Sequence, residues 1–167
     1  ELRYSFLVFE PYEAIRKVAI FGSARIREGT DEYEIARAFG EAIADEGWMV
    51  ITGAGPGIMH AGIEGAGADR AFGVNIVLPF ETDASPLLAG DRKLINYRYF
   101  FTRKLTFLKE SSASCLLPGG FGTMDEAFEL LTLVQTGRAP VQPIVLLEPE
   151  GGTYWERWRA FVEDELL

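Results

Sequence analysis

The sequence predicts a three-layer α/β domain, a doubly wound parallel sheet of the Rossmann-like kind, formed by residues 1–167 as a single domain. Two observations predict it. Short apolar, β-branched runs alternate with helix-period patterns along the whole chain, the signature of a parallel sheet covered by helices on both faces. Three of the turns that directly follow strand-like runs carry glycine and lead towards helices, as at the ligand-binding edge of such sheets. No repeat and no linker divides the chain.

The elements follow in order. The first strand reads Lys17-Val18-Ala19-Ile20-Phe21. After a break at Gly29-Thr30, a helix carries Ile35, Phe39 and Ile43 on one stripe and ends near Gly47. The second strand is Trp48 to Thr52, and a glycine-rich turn leads from it into a helix through Ile63 that is rich in Ala and Gly, a composition suited to close packing on a neighbour. Val74 to Leu78 is the third strand; Pro79 to Gly90 is turn-rich; Lys93-Leu94-Ile95 forms a short strand before a helix from about Tyr97 to Glu110. Leu116-Leu117 ends the next strand. A helix beyond Pro118 runs to about Gln135 with Phe128, Leu130, Leu131 and Val134 on a wide buried face. Pro143 to Leu147 is the last strand, and Trp155, Trp158 and Phe161 give the last helix an apolar stripe that reads as core.

Composition excludes several functions. With 16 Lys+Arg against 25 Asp+Glu, the net charge of −9 argues against a surface that wraps nucleic acid, because neutralising phosphates needs clustered cations. No apolar run approaches the roughly 18 residues of a membrane span and no signal peptide opens the chain, so a cytoplasmic protein with no membrane partner is expected. The chain begins at Glu1 without a methionine, which leaves a removed leader or a longer C-terminus open. Cys115 is the one cysteine and sits in the apolar run Ala113 to Leu117, where it reads as a buried strand residue. With His60 as the one histidine, a histidine metal cluster is impossible and a Ser-His-Asp triad would depend wholly on it; it reads as a helix-surface residue.

Three loops lie on the carboxyl edge of the expected sheet: Gly22-Ser23, Gly53-Ala54-Gly55-Pro56-Gly57, and Pro118-Gly119-Gly120-Phe121-Gly122-Thr123. Glycine lets a backbone approach a phosphate, and the free amides at a helix start donate to it. Steric turning alone would also explain glycines at each place. The stretch 53–57 departs from the dinucleotide fingerprint, since Ile58 stands where its last glycine would be and no acidic residue ends the next strand, so NAD is disfavoured. Thr123-Met124-Asp125-Glu126 reads either as a helix capping box or as a phosphate loop followed by a working carboxylate. Carboxylates there would repel a phosphate without a compensating cation, which Arg103-Lys104 could supply; Arg103 could equally be a solvated surface charge. Glu81, after the third strand, could reach a ligand hydroxyl or simply occupy a turn.

The string PGGFGTMDE from Pro118 to Glu126 resembles the PGGxGTxxE signature of the Lonely Guy family of phosphoribohydrolases, often labelled lysine decarboxylases, at every fixed position. YFFTRK, ending at Lys104, resembles the family's Arg-Lys motif. GAGPGIM, from Gly53 to Met59, is similar to its GGGxxGxM loop with Ala54 in place of a glycine, and GVNIVLPFE from Gly73 to Glu81 also resembles it. The resemblance covers about residues 17–147 and implies hydrolysis of the N-glycosidic bond of a nucleoside 5′-monophosphate to free base and ribose 5-phosphate. It implies Arg103 and Glu126 as catalytic residues. It implies Gly119, Gly120, Gly122 and Thr123 at the phosphate; Gly22, Ser23, Gly53, Gly55, Gly57, Met59 and Lys104, in or beside the same group of loops, are further binding candidates. It implies no cofactor, no metal and a homodimer. The alternative is a non-catalytic nucleotide or molybdenum-cofactor carrier, since such PGG-containing folds bind without cleaving.

Overall fold

The computed structural model describes residues 1–78 and 84–167. Among the described residues, six parallel strands form one sheet: β1 (Lys17–Phe21), β2 (Met49–Thr52), β3 (Ala71–Ile76), β4 (Leu94–Tyr97), β5 (Ala113–Leu116) and β6 (Ile144–Leu146), in the spatial order β4-β3-β2-β1-β5-β6. β1 sits between β2 and β5, with Val18 opposite Val50 on one side and Ala113 on the other. The chain therefore builds outwards from β1 to β4, then returns to start again at β5. That reversal opens a crevice at the carboxyl ends of β1 and β5, where ligands of doubly wound sheets bind.

Helices cover both faces, as expected. They are α1 (Leu2–Phe9), α2 (Asp31–Asp45), α3 (Ile58–Ala66), α4 (Phe100–Glu110), α5 (Phe121–Gln135) and α6 (Tyr154–Phe161). Val18, Ile20, Val50 and Cys115 meet α2 and α3 on one face. Ala19, Ile51, Phe72 and Val74 meet α1 and α4 on the other, and Leu116 packs with Ala127 and Trp155. Thr30 caps α2 by accepting from the Tyr33 amide, and Asp31, Glu32 and Glu34 sit favourably in its positive first turn. Burial pushes the Cys115 thiol up to about 12, so it is inert packing rather than a nucleophile. Among the described residues no helix is long and apolar enough to cross a membrane.

Several details correct the sequence reading. α1 was not foreseen; it buries Ser5, Val8 and Phe9, and Phe9 stacks on Phe72 with ring centroids 4.1 Å apart. The Ala- and Gly-rich α3 does pack closely on a neighbour, as its composition suggests: a side chain at Gly40 would overlap the Gly62 carbonyl and one at Gly65 would overlap that of Arg37, so α2 and α3 lie backbone to backbone. The expected wide buried face of α5 is narrower: Thr123, Ala127 and Leu130 are buried while Phe128, Leu131 and Val134 are only partly covered. On α6, Trp155 is core but Phe161 is 50% exposed.

Candidate active site

The loops after β1, β2 and β5 are locked to one another through their backbones. Leu117 N donates to Phe21 O at 2.8 Å, Ser23 N to Pro118 O at 3.2 Å, and Ile58 N to Ser23 O at 3.1 Å. The last bond decides between two candidate anion sites. At the start of α3, an amide that a phosphate would need is already given to Ser23. Gly57, with φ of +67°, presses so closely on the Ser23 carbonyl that any side chain there would collide with it. Gly22 lies against the Ile58 side chain. Gly22, Ser23 and Gly57 are thus brought to the crevice as a lock that shapes it.

At the start of α5 the situation is reversed. Its N-cap is Gly120, and among the described residues no side chain caps it, so the first-turn amides at this edge are left for a ligand or solvent to meet. Gly120 and Gly122 face open space, whereas a side chain at Gly119 would overlap Thr123, whose buried hydroxyl group packs back onto the loop. The geometry overturns the capping-box alternative. Helix α5 begins at Phe121, so Thr123 is its third residue and Glu126 its sixth, too far in to reach the N-cap amide.

Glu126 is partly buried, and burial pushes its carboxyl up to about 7; the charges of Arg103 and Lys104 pull it down, while Glu129 and Asp125 push it up. Arg103 projects from α4 beneath the 53–57 loop. Its Nε donates to Val74 O at 2.8 Å, its guanidinium lies 5.4 Å from the Phe107 ring centroid, and a side chain at Gly53 would overlap its Nη2 and the Met59 Sδ. Gly53 and Met59 therefore seat the guanidinium, and Gly55 leaves room for the Met59 side chain. The Arg103 charge acts on Glu126 from there, drawing its pKa down, while the Nε is held by the sheet.

Lys104, expected at the phosphate, is committed elsewhere. Its ammonium meets Asp125 at 2.9 Å and Glu129 at 2.7 Å, strapping α4 to α5. Burial works against its charge, but these two carboxylates raise its pKa. Asp125 and Glu129 are four apart, on one face of α5, which is the signal that could have revealed the strap. His60 is not a plain surface residue: its Nδ1 lies 2.9 Å from Ser85 Oγ, and Ser85 N donates to Ala54 O at 2.7 Å, tying the loop down. Ala54 itself has φ of +58°, where a glycine would be unstrained, and its methyl is fully buried. Strain and burial there are each worth about 1 kcal/mol and oppose one another. Glu81 lies outside the described residues. Tyr154, whose hydroxyl donates to Gly119 O at 2.7 Å, had no signal in the sequence because it stands on another helix.

The family model described as possible lysine decarboxylase matches residues 56–167. A probable cytokinin riboside 5′-monophosphate phosphoribohydrolase of Oryza sativa subsp. japonica is 30% identical over 156 residues, covering 89% of this chain and 59% of its own length. A pyrimidine/purine nucleotide 5′-monophosphate nucleosidase of Escherichia coli is 28% identical over 161 residues, covering 90% of this chain and 35% of that one. The chain thus spans between about a third and three fifths of these relatives. Among solved structures, the molybdenum cofactor carrier protein of Chlamydomonas reinhardtii superposes with a TM-score of 0.62 at 21% identity, covering 90% of this chain and 85% of that one, a likeness of fold. With its family model matched over two thirds of its length and the PGGFGTMDE string placed at the crevice, the chain belongs to the Lonely Guy family, the group described as possible lysine decarboxylases.

Proposed function

We propose that the chain hydrolyses the N-glycosidic bond of nucleoside 5′-monophosphates of the AMP or cytokinin riboside monophosphate type. The observation that carries this reading is Glu126, a carboxyl poised near neutrality beside Arg103 and within two turns of an uncapped helix start. The first-turn amides of α5, with Thr123, hold the phosphate. Departure of the base leaves positive charge at the anomeric carbon, and the Glu126 carboxylate stabilises that charge and orients the attacking water. Water oxygen bonds to the anomeric carbon, the carbon–nitrogen bond breaks with its electron pair going to the base, and the water's proton balances the base. No cofactor enters the scheme. The printed activities of the rice and Escherichia coli relatives support it.

The phosphate is a remote handle whose binding energy positions the sugar. AMP should therefore be cleaved and adenosine, lacking that handle, should be turned over at least about a hundredfold more slowly. Equal rates on the two would remove the phosphate from the mechanism.

Seating of Arg103 gives a second expectation. Gly53→Ala pushes a methyl into Nη2 and Met59 Sδ. A displacement of that size should lower kcat/KM for AMP about a hundredfold, measured alongside circular dichroism to establish that the variant is folded. A homodimer is part of this proposal, supported by the apolar side chains exposed beside the site, among them Phe101 at 70% and Phe121 at 98%. Solution mass by light scattering tests it.

A further inference from the structure

The geometry points to Tyr154 as a positioning residue for phosphate recognition, acting through the peptide that joins Gly119 to Gly120. This rests on the nucleotide reading above. The Tyr154 hydroxyl donates to Gly119 O at 2.7 Å, and the 119–120 peptide is trans. In a trans peptide the carbonyl and the amide of one plane point in opposite directions. A hydroxyl that holds the Gly119 carbonyl towards α6 therefore holds the Gly120 N–H away from α6. Gly120 is the N-cap of α5, so that N–H stands with the other donors of the uncapped helix start.

The bond matters because the peptide lies between two glycines. Glycine accepts φ of either sign, so a Gly-Gly peptide turns over at little cost, and the turned form would present a carbonyl oxygen to the anion. Thr123 packs against Gly119 and fixes its position, but a carbonyl needs a donor to fix its direction. Tyr154 supplies one from a rigid mount. Glu148 accepts from the Tyr154 amide at 2.9 Å and from the Trp155 amide at 3.3 Å, and the Trp155 indole donates to Leu147 O at 3.1 Å. Leu147 N in turn donates to Leu116 O at 2.9 Å, so the frame is continuous with the sheet.

Tyr154→Phe removes the hydroxyl and keeps the ring with its edge-on contact to Trp155, 4.9 Å between centroids. Calorimetric titration of the chain with Tyr154 and of Y154F, both carrying Glu126→Gln so that AMP is bound but not cleaved, with inorganic phosphate, AMP and adenosine tests the assignment, with thermal melts of both proteins in parallel. Y154F should bind phosphate and AMP about three- to tenfold more weakly, with adenosine affinity unchanged and little shift in melting. Equal AMP affinities of the two proteins, or a lowered melting temperature with unchanged phosphate affinity, would overturn the assignment and leave the nucleotide reading standing. A chain with Tyr154 that binds neither AMP nor phosphate would overturn the nucleotide reading and this inference with it.

Discussion

Glu126→Gln is expected to cut kcat/KM for AMP about a thousandfold while making the folded chain more stable above neutral pH. The loss follows from the charge: glutamine fits the same space but cannot stabilise a cationic sugar or draw a proton from water. The gain follows from the raised pKa. Folded, the carboxyl keeps its proton up to about 7; unfolded, it releases it at its ordinary 4.5. The native state therefore loses stability as pH rises from about 4.5 to about 7, and that loss persists above 7. Glutamine has no proton to lose, so the variant's advantage is absent at low pH, grows across that window and is complete above it. Because Glu126 is partly open to solvent, the gain should be on the order of 1–2 kcal/mol, read from denaturant melts at about pH 4 and about pH 8. A capping glutamate would behave in the opposite way, losing stability and keeping activity. In the proposed mechanism the ionised form of Glu126 acts, so the wild-type kcat/KM should also show an acid limb near the same pH of about 7.

Arg103→Met should be nearly as damaging, and its signature is a displaced pH profile. The guanidinium opposes the effect of burial on Glu126, so removing it moves that carboxyl above 7. It also leaves the Val74 carbonyl without its donor and empties the seat formed by Gly53 and Met59. At neutral pH kcat/KM should fall about a hundred- to a thousandfold, with the acid limb shifted upwards and part of the activity returning in alkaline solution. A drop of that size with an unmoved limb would mean that Arg103 works on the ligand alone and not through Glu126.

Much of this arrangement is legible in the residues. β1 occupies Lys17–Phe21 as read, and the Pro118 loop lies where a strand-then-glycine pattern places it, because buried parallel strands announce themselves as unbroken apolar runs. What stayed hidden depends on partners distant in sequence. Leu2–Phe9 has apolar residues at both helical and alternating spacings, and only docking on Phe72 selects the helix. Thr123 and Glu126 fit a capping box until Gly120 takes the cap position and carries both residues into the helix. Lys104 carries the same charge in either role, and its assignment awaited Asp125 and Glu129 on the facing helix. The chemistry of Glu126 is likewise a product of burial between helices, which no local pattern encodes.

In the function proposed above, this crevice breaks a glycosidic bond and does not merely hold a nucleotide. Incubation of the wild-type protein with AMP, with adenine and ribose 5-phosphate quantified over time, tests it most directly. Both products should form in equal amounts, and Glu126→Gln should suppress both together. Binding of AMP with neither product formed, there or with the other nucleoside 5′-monophosphates, would contradict it and make the chain a carrier.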